Sequence, residues 1–113
     1  MPFISPDDMI HGEPMPGWHG RFFHAENMTF AHYEIDDGAP DLHAHDHEQE
    51  EVWNVIEGQV ALSIAGDERT LGPGEVAIVP PGLPHSVRIL GACKVVVVDH
   101  PRRDELPRGV GRS

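Results

Sequence analysis

The sequence predicts an all-β domain, an antiparallel sandwich or barrel, and three observations carry that expectation. Apolar residues come in short runs with strand alternation, as where Val60, Leu62 and Ile64 alternate with Ala61, Ser63 and Ala65. Eleven prolines and twelve glycines divide the chain, with turn signals roughly every 6 to 12 residues. No stretch holds a helical period long enough to form a convincing helix. Consecutive hairpins are hard to combine with parallel pairing, so the sheets are expected to be antiparallel.

Residues 1–20 carry Pro2, Pro6, Gly12, Pro14, Pro16, Gly17 and Gly20 with little periodicity, and read as an irregular arm. Trp18 is expected to pin that arm by burying its ring. Two β-like runs follow, Arg21 to Glu26 and Met28 to Ile35, separated by Asn27. In the second, Met28, Phe30, His32 and Glu34 oppose Thr29, Ala31, Tyr33 and Ile35, and periodicity does not choose the buried face. Asp36-Asp37-Gly38 makes a turn.

Val52 to Glu57 is apolar enough for a core strand and ends at the tight turn Glu57-Gly58. Val60 to Ala65 is a half-buried strand closed by Gly66-Asp67, and Glu68 to Leu71 returns from it. Gly72-Pro73-Gly74 turns into the strand Glu75 to Val79, which stops at the proline-rich Pro80-Pro81-Gly82-Leu83-Pro84. His85 to Leu90 and Lys94 to Asp99 complete a set of about eight or nine strands. Beyond Pro101 the chain has arginines and no apolar pattern, which predicts a loosely held tail. The domain plan is an arm over 1–20, a barrel over 21–101 and a tail over 102–113.

With 113 residues the chain supports one modest core, hence a single domain. Acids outnumber Lys plus Arg by 19 to 8, a net charge of −11, which argues against a nucleic-acid partner. No run approaches the roughly 18 to 20 apolar residues of a membrane span. The N-terminus lacks the basic and apolar regions of a signal peptide, so the expected location is cytoplasmic. The lone Cys93 excludes an intrachain disulfide and, ahead of a run of valines, reads as a small buried hydrophobe.

The stretch Asp41 to Gly58 carries the chemistry. His43, His45 and His47 stand at alternate positions, which share a face on an extended chain, and acids follow as far as Glu51. Imidazoles beside a carboxylate suit zinc, iron, manganese or nickel, so a divalent transition metal is the expected cofactor. With His45 and His47 on one strand, Glu51 can return from the next, and His85 is the histidine that a rigid turn presents. Three neutral imidazoles and one carboxylate leave open positions on the ion, the arrangement of a catalytic site. Glu48, Gln49 and Glu50 read as a solvated corner. Trp53 and Val55 share the face of Glu51, either as core or as pocket lining.

These residues resemble the cupin family, here as a small single-domain cupin. Its first motif is matched by His45-x-His47, three residues, Glu51, six residues and Gly58. Its second is matched by Gly74, Pro80, Gly82 and His85, with Ile89 in place of a terminal Asn that is not a ligand. The resemblance covers roughly Phe22 to Pro101 and implies a double-stranded β-helix, or jelly-roll barrel. The leading glycine, Gly38, does not decide between the two histidine pairs, since six residues separate it from His45 and four from His43. Family spacing to Gly58 favours His45, His47, Glu51 and His85 as metal ligands, leaving His43 as an alternate ligand or pocket residue.

The resemblance implies a metal-dependent enzyme acting on a small organic substrate, of dioxygenase, isomerase or lyase type. Whether the chain is an enzyme stays open at this level, because fold does not select a reaction. The alternative is a non-enzymatic module that binds or senses a metal or small ligand. The family's habit of pairing barrels implies a homodimer, for which the arm offers an exchangeable strand.

Overall fold

The computed structural model describes residues 2–104 and 106. It contains ten strands: β1 (Ile10–Gly12), β2 (Trp18–His24), β3 (Thr29–Ile35), β4 (Leu42–His45), β5 (Glu50–Glu57), β6 (Val60–Ile64), β7 (Asp67–Leu71), β8 (Val76–Val79), β9 (His85–Ile89) and β10 (Cys93–His100). A single 3-10 turn, Pro6–Asp8, precedes them. The strands form a six-stranded sheet in the order β1-β2-β3-β10-β5-β8 and a four-stranded sheet in the order β4-β9-β6-β7. Every pairing is antiparallel. The all-β, antiparallel expectation holds, and among the described residues no helix is long and apolar enough to cross a membrane.

The core lies between the two sheets and is closed by alternate residues of each strand. From β5 come Glu51, Trp53 and Val55, and from β10 come Val95, Val97 and Asp99, all buried. From β3 the inward side carries Thr29, Ala31 and Ile35, which settles the face that periodicity left open. Register makes these residues into transverse rows. Trp53, Val97, Ala31 and Phe22 form an apolar row across β5, β10, β3 and β2. One step toward the end of the sheet, Glu51, Asp99 and Thr29 form a polar one. The functional groups are therefore an extension of the core pattern into carboxylates at one mouth of the barrel.

Gly58 fixes the start of this geometry. It adopts φ +75°, and a Cβ there would collide with the carbonyl oxygen of Ala92 and with Cβ of Cys93. The β5–β6 turn thus packs against the start of β10, setting the register from which Glu51 is counted.

Two segments differ from expectation. The arm is not irregular throughout: β1 pairs with β2 of the same chain, Ile10 opposite Phe22, and β2 already begins at Trp18. Propensity misses β1 because its three residues, ending at Gly12 two positions before Pro14, are too few to show a period. Trp18 does bury its ring, at 2% exposure, and its indole N–H donates to the carbonyl of Pro40 at 2.8 Å. The beginning of the tail is tied in as well, since Leu106 packs on the core and Arg103 reaches the polar row. Cys93 is buried, and burial pushes its thiol pKa up, as befits a packing residue.

Candidate metal centre

His47, Glu51 and His85 come together although they arrive from three places. His47 lies in the bend between β4 and β5, Glu51 is the second residue of β5, and His85 opens β9 in the opposite sheet. The proline-rich segment places two of them. Gly82 N–H donates to the carbonyl of His47 at 2.8 Å, and Ala65 N–H donates to Pro84 O at 2.8 Å, just before His85. That segment therefore ties the loop bearing His47 to the strand bearing His85.

The rings are oriented from behind. Nδ1 of His47 lies 3.0 Å from the carbonyl oxygen of Gln49, and Nδ1 of His85 lies 3.4 Å from that of Leu83. A ring that donates through Nδ1 presents Nε2 on its other side. Those Nε2 atoms stand 3.2 Å (His47) and 3.3 Å (His85) from the two carboxylate oxygens of Glu51. The imidazoles meet edge to face with centroids 4.9 Å apart. One potential ligand atom from each residue lies within 4.8 Å of the others.

This donor set fits a divalent cation. An imidazole lone pair facing a carboxylate oxygen requires something positive between them, either a proton or a metal ion. The 3.2 and 3.3 Å separations are those of neighbouring ligand atoms around one ion. With bonds of about 2.1 Å, octahedral and tetrahedral neighbours lie about 3.0 and 3.4 Å apart. Two nitrogens and a carboxylate oxygen suit zinc, iron, manganese or nickel.

Glu51 is almost wholly buried and still ionised. Burial opposes its charge, but hydrogen bonding with His47, His85, Asp99 and Trp53 outweighs burial and holds the carboxyl well below the usual carboxylate range. The Trp53 indole N–H donates to Oε1 of Glu51 at 2.6 Å, so this residue is more than packing. Hydrogen bonding with Glu51 conversely raises the pKa of His47.

The polar row supplies two groups that sequence reasoning missed. Asp99 stands opposite Glu51 on β10, and burial, followed by the neighbouring Glu51, pushes its carboxyl pKa up to about 7. Its Oδ1 is buried without a hydrogen-bond partner among the described residues, which a proton shared with Glu51 would satisfy. Oδ2 accepts from Nε of Arg103 at 2.6 Å. The Arg103 guanidinium also lies 3.5 Å from Glu51, and its backbone N–H donates to the Thr29 hydroxyl at 2.9 Å. Asp99 had a readable signal, since it continues the inward parity of Val95 and Val97. Arg103 had none, because the chain after Pro101 has no period.

Glu51, Asp99 and Arg103 line one cavity of about 280 Å³ together with Trp18, Phe22, Tyr33, Leu42 and Trp53. The site is thus a charged end on an otherwise apolar chamber. Tyr33 is half-buried in its wall, and desolvation, reinforced by Glu51, raises the pKa of its phenol.

The other sequence candidates separate. A bulge in β4 sets four residues of that strand, Leu42 to His45, against three of β9, His85 to Val87, so His45 pairs in register with His85. The His45 side chain lies outside the described residues. His43 is exposed on β4 and is not part of the cluster of His47, Glu51 and His85. His47 lies beyond the end of β4, so strand alternation does not extend to it. Glu48 and Glu50 are exposed as expected, whereas Gln49 is buried and orients His47 through its carbonyl.

A barrel of two antiparallel sheets that gathers histidines and a glutamate at one mouth defines a recognisable class. The cupin-domain family matches residues 31–99, and the chain belongs to it. Among solved structures, an RmlC-like cupin from Shewanella frigidimarina superposes with a TM-score of 0.83 at 19% identity, covering 92% of this chain and 94% of that one. KdgF from Halomonas sp. gives 0.81 at 24% identity, over 90% and 96% of the two chains. Bacillus subtilis oxalate decarboxylase, described with Mn(II) centres, gives 0.74 at 23% identity, over 87% of this chain and 29% of its own. At these identities the likeness is one of fold. No curated protein sequence matches the chain.

Proposed function

We propose that this protein is a metal-dependent enzyme acting on a small organic substrate that carries an anionic group. His47, Glu51 and His85, joined by His45 at its register position beside His85, hold a divalent transition metal ion. The observation that carries the reading is that Glu51 belongs both to the ligand cluster and to the wall of the cavity, next to Asp99 and Arg103. A bound ion supplies Lewis-acid or dioxygen chemistry at the mouth of that chamber.

The residues of the chain supply the rest. The Arg103 guanidinium is a planar cation at the cavity wall, suited to a carboxylate or enolate oxygen of a ligand. Asp99, buried beside Glu51 and lining the same space, is placed to take up or return a proton at a ligand atom near the ion. Trp18, Phe22 and Trp53 wall the chamber with apolar surface that limits water around the reacting group. Dioxygenase, isomerase and lyase chemistry all lie within reach of this set.

The test is turnover by protein loaded with iron or manganese against a panel of small carboxylic and keto acids, including oxalate, and phenols, with oxygen uptake followed in parallel. Turnover that disappears in Glu51→Gln supports the enzyme. If fully metallated protein leaves the whole panel unchanged, a non-enzymatic metal- or ligand-binding module becomes the better reading.

A further inference from the structure

The chamber behind the metal centre is lined mainly by hydrocarbon, and much of it is aromatic. Trp18 and Phe22 turn inward from β2, Trp53 from β5 and Ala31 from β3. Gly20 has the same inward parity as Trp18 and Phe22, and a Cβ there would stand 2.6 Å from the Phe22 ring. The absent side chain lets that ring lie back along its own strand. Tyr33 meets Trp18 and Phe22 edge to face, with centroids 5.4 and 5.6 Å apart. Met15, in the loop between β1 and β2, and Leu42 of β4 complete this wall.

The polar side-chain atoms on the wall are engaged within the protein. The Trp18 indole N–H donates to the Pro40 carbonyl at 2.8 Å, and that of Trp53 donates to Glu51 at 2.6 Å. The Thr29 hydroxyl accepts from the Arg103 backbone N–H at 2.9 Å and lies 2.8 Å from Nδ1 of His24. Outside the charged end, that leaves the Tyr33 hydroxyl among the described residues of the wall. A sugar or other polyol would bury several hydroxyl groups here against rings that cannot pair with them, which is costly. A flat apolar body meets the same rings without such a cost.

Size and charge narrow the ligand further. A dry cavity of about 150 Å³ takes up benzene, so a larger one accommodates a ring with a short acid chain. This chamber has about 280 Å³. Arg103 is the one cation among the described lining residues, which matches a single carboxylate.

We propose, resting on the metal-enzyme reading above, that the substrate is a small monocarboxylic acid with an aromatic body. Its ring lies against Trp18, Phe22 and Trp53, and its carboxylate meets the Arg103 guanidinium at the charged end. The segments that flank the barrel, residues 1–20 and 102–113, thereby supply Met15, Trp18 and Arg103 to ligand selection.

Trp18 and Trp53 are the two tryptophans of the chain and both line the chamber, so intrinsic fluorescence reports its occupancy without turnover. The full chain loaded with zinc is titrated with phenylacetate, acetate and galacturonate, and calorimetry repeats each titration. Phenylacetate is expected to bind roughly 10- to 100-fold more tightly than acetate, the gain from burying a ring. Galacturonate is expected to bind no better than acetate. Arg103→Gln should weaken phenylacetate about tenfold or more and leave the neutral phenylacetamide unchanged. Ala31→Leu, which fills the chamber with hydrocarbon, should abolish the preference for phenylacetate over acetate. Met15→Asp tests the same point from a loop, should Ala31→Leu fold poorly. Phenylacetate no tighter than acetate, galacturonate as tight as phenylacetate, or an undiminished ring preference in both folded variants overturns the inference. A ring preference in protein that holds no metal or turns nothing over supports the ligand class and sinks the enzyme reading alone. Its absence in protein that has both metal and turnover sinks the ligand class alone.

Discussion

Asp99 faces Glu51 across the β10–β5 ladder, and Arg103 reaches both carboxyl groups from the segment that follows β10. The two carboxyl groups differ in their electrostatic setting. Glu51 is held ionised between two imidazoles and an indole, while Asp99 carries the higher pKa and borders the cavity.

Replacing Asp99 should therefore separate metal binding from turnover. Asp99→Asn keeps the shape and the contact with Arg103 and removes the titrating carboxyl. We expect metal content to be unchanged and kcat to fall roughly 10²- to 10⁴-fold, the usual size of a lost general acid or base. Arg103→Ala should instead act mainly on KM, because it removes a cation placed for an anionic substrate. Metal analysis together with steady-state kinetics on both variants distinguishes these outcomes, and equal loss of metal in Asp99→Asn would assign Asp99 to ligation.

Gly58 offers a test of how the fold aims the site. Its φ of +75° and the closeness of Ala92 and Cys93 leave no room for a methyl group. Gly58→Ala should cost about 2 to 4 kcal/mol, combining left-handed strain with a steric shift of the turn. Urea denaturation measures it, and a loss below about 0.5 kcal/mol would mean that the turn relaxes freely.

A pH effect is expected far from the centre. His19 Nε2 lies 2.9 Å from Asp36 Oδ2, and the hydrogen bond to that carboxylate raises its pKa above the ordinary 6.5. The folded state thus holds this proton more tightly than the unfolded chain. Its contribution to stability is complete below pH 6.5 and is lost as pH rises through the raised folded value. Both groups are exposed, so the effect is small. NMR titration should show the His19 pKa falling toward its ordinary value in Asp36→Asn, with the stability difference between the two proteins vanishing on the alkaline side.

The course of the strands was legible because alternation and turn chemistry agree along the chain, from the Val60 to Ala65 strand to the Gly72-Pro73-Gly74 turn. Glu51 and His85 were legible because rigid turns at Gly58 and Pro80 to Pro84 fix their positions. What escaped was set by tertiary register. β4 ends at its last pair with β9, His45 with His85, so counting alternate residues through His47 could not exclude His43 from the cluster. Gln49 contributes its backbone carbonyl, which no side-chain pattern announces. Arg103 belongs to a segment without a period, and only its contacts with Thr29, Asp99 and Glu51 give it a place. The inward parity of Asp99 beside Val95 and Val97 was visible and is the clue worth using elsewhere: a carboxylate at a core-facing strand end asks for a partner.

If His47, Glu51 and His85 hold one metal ion, elemental analysis of protein purified without added metal will find it. Wild type should carry close to one equivalent of a first-row transition metal per chain. His85→Ala should lose it while His43→Ala keeps it. Full metal content in a folded His85→Ala would contradict the account.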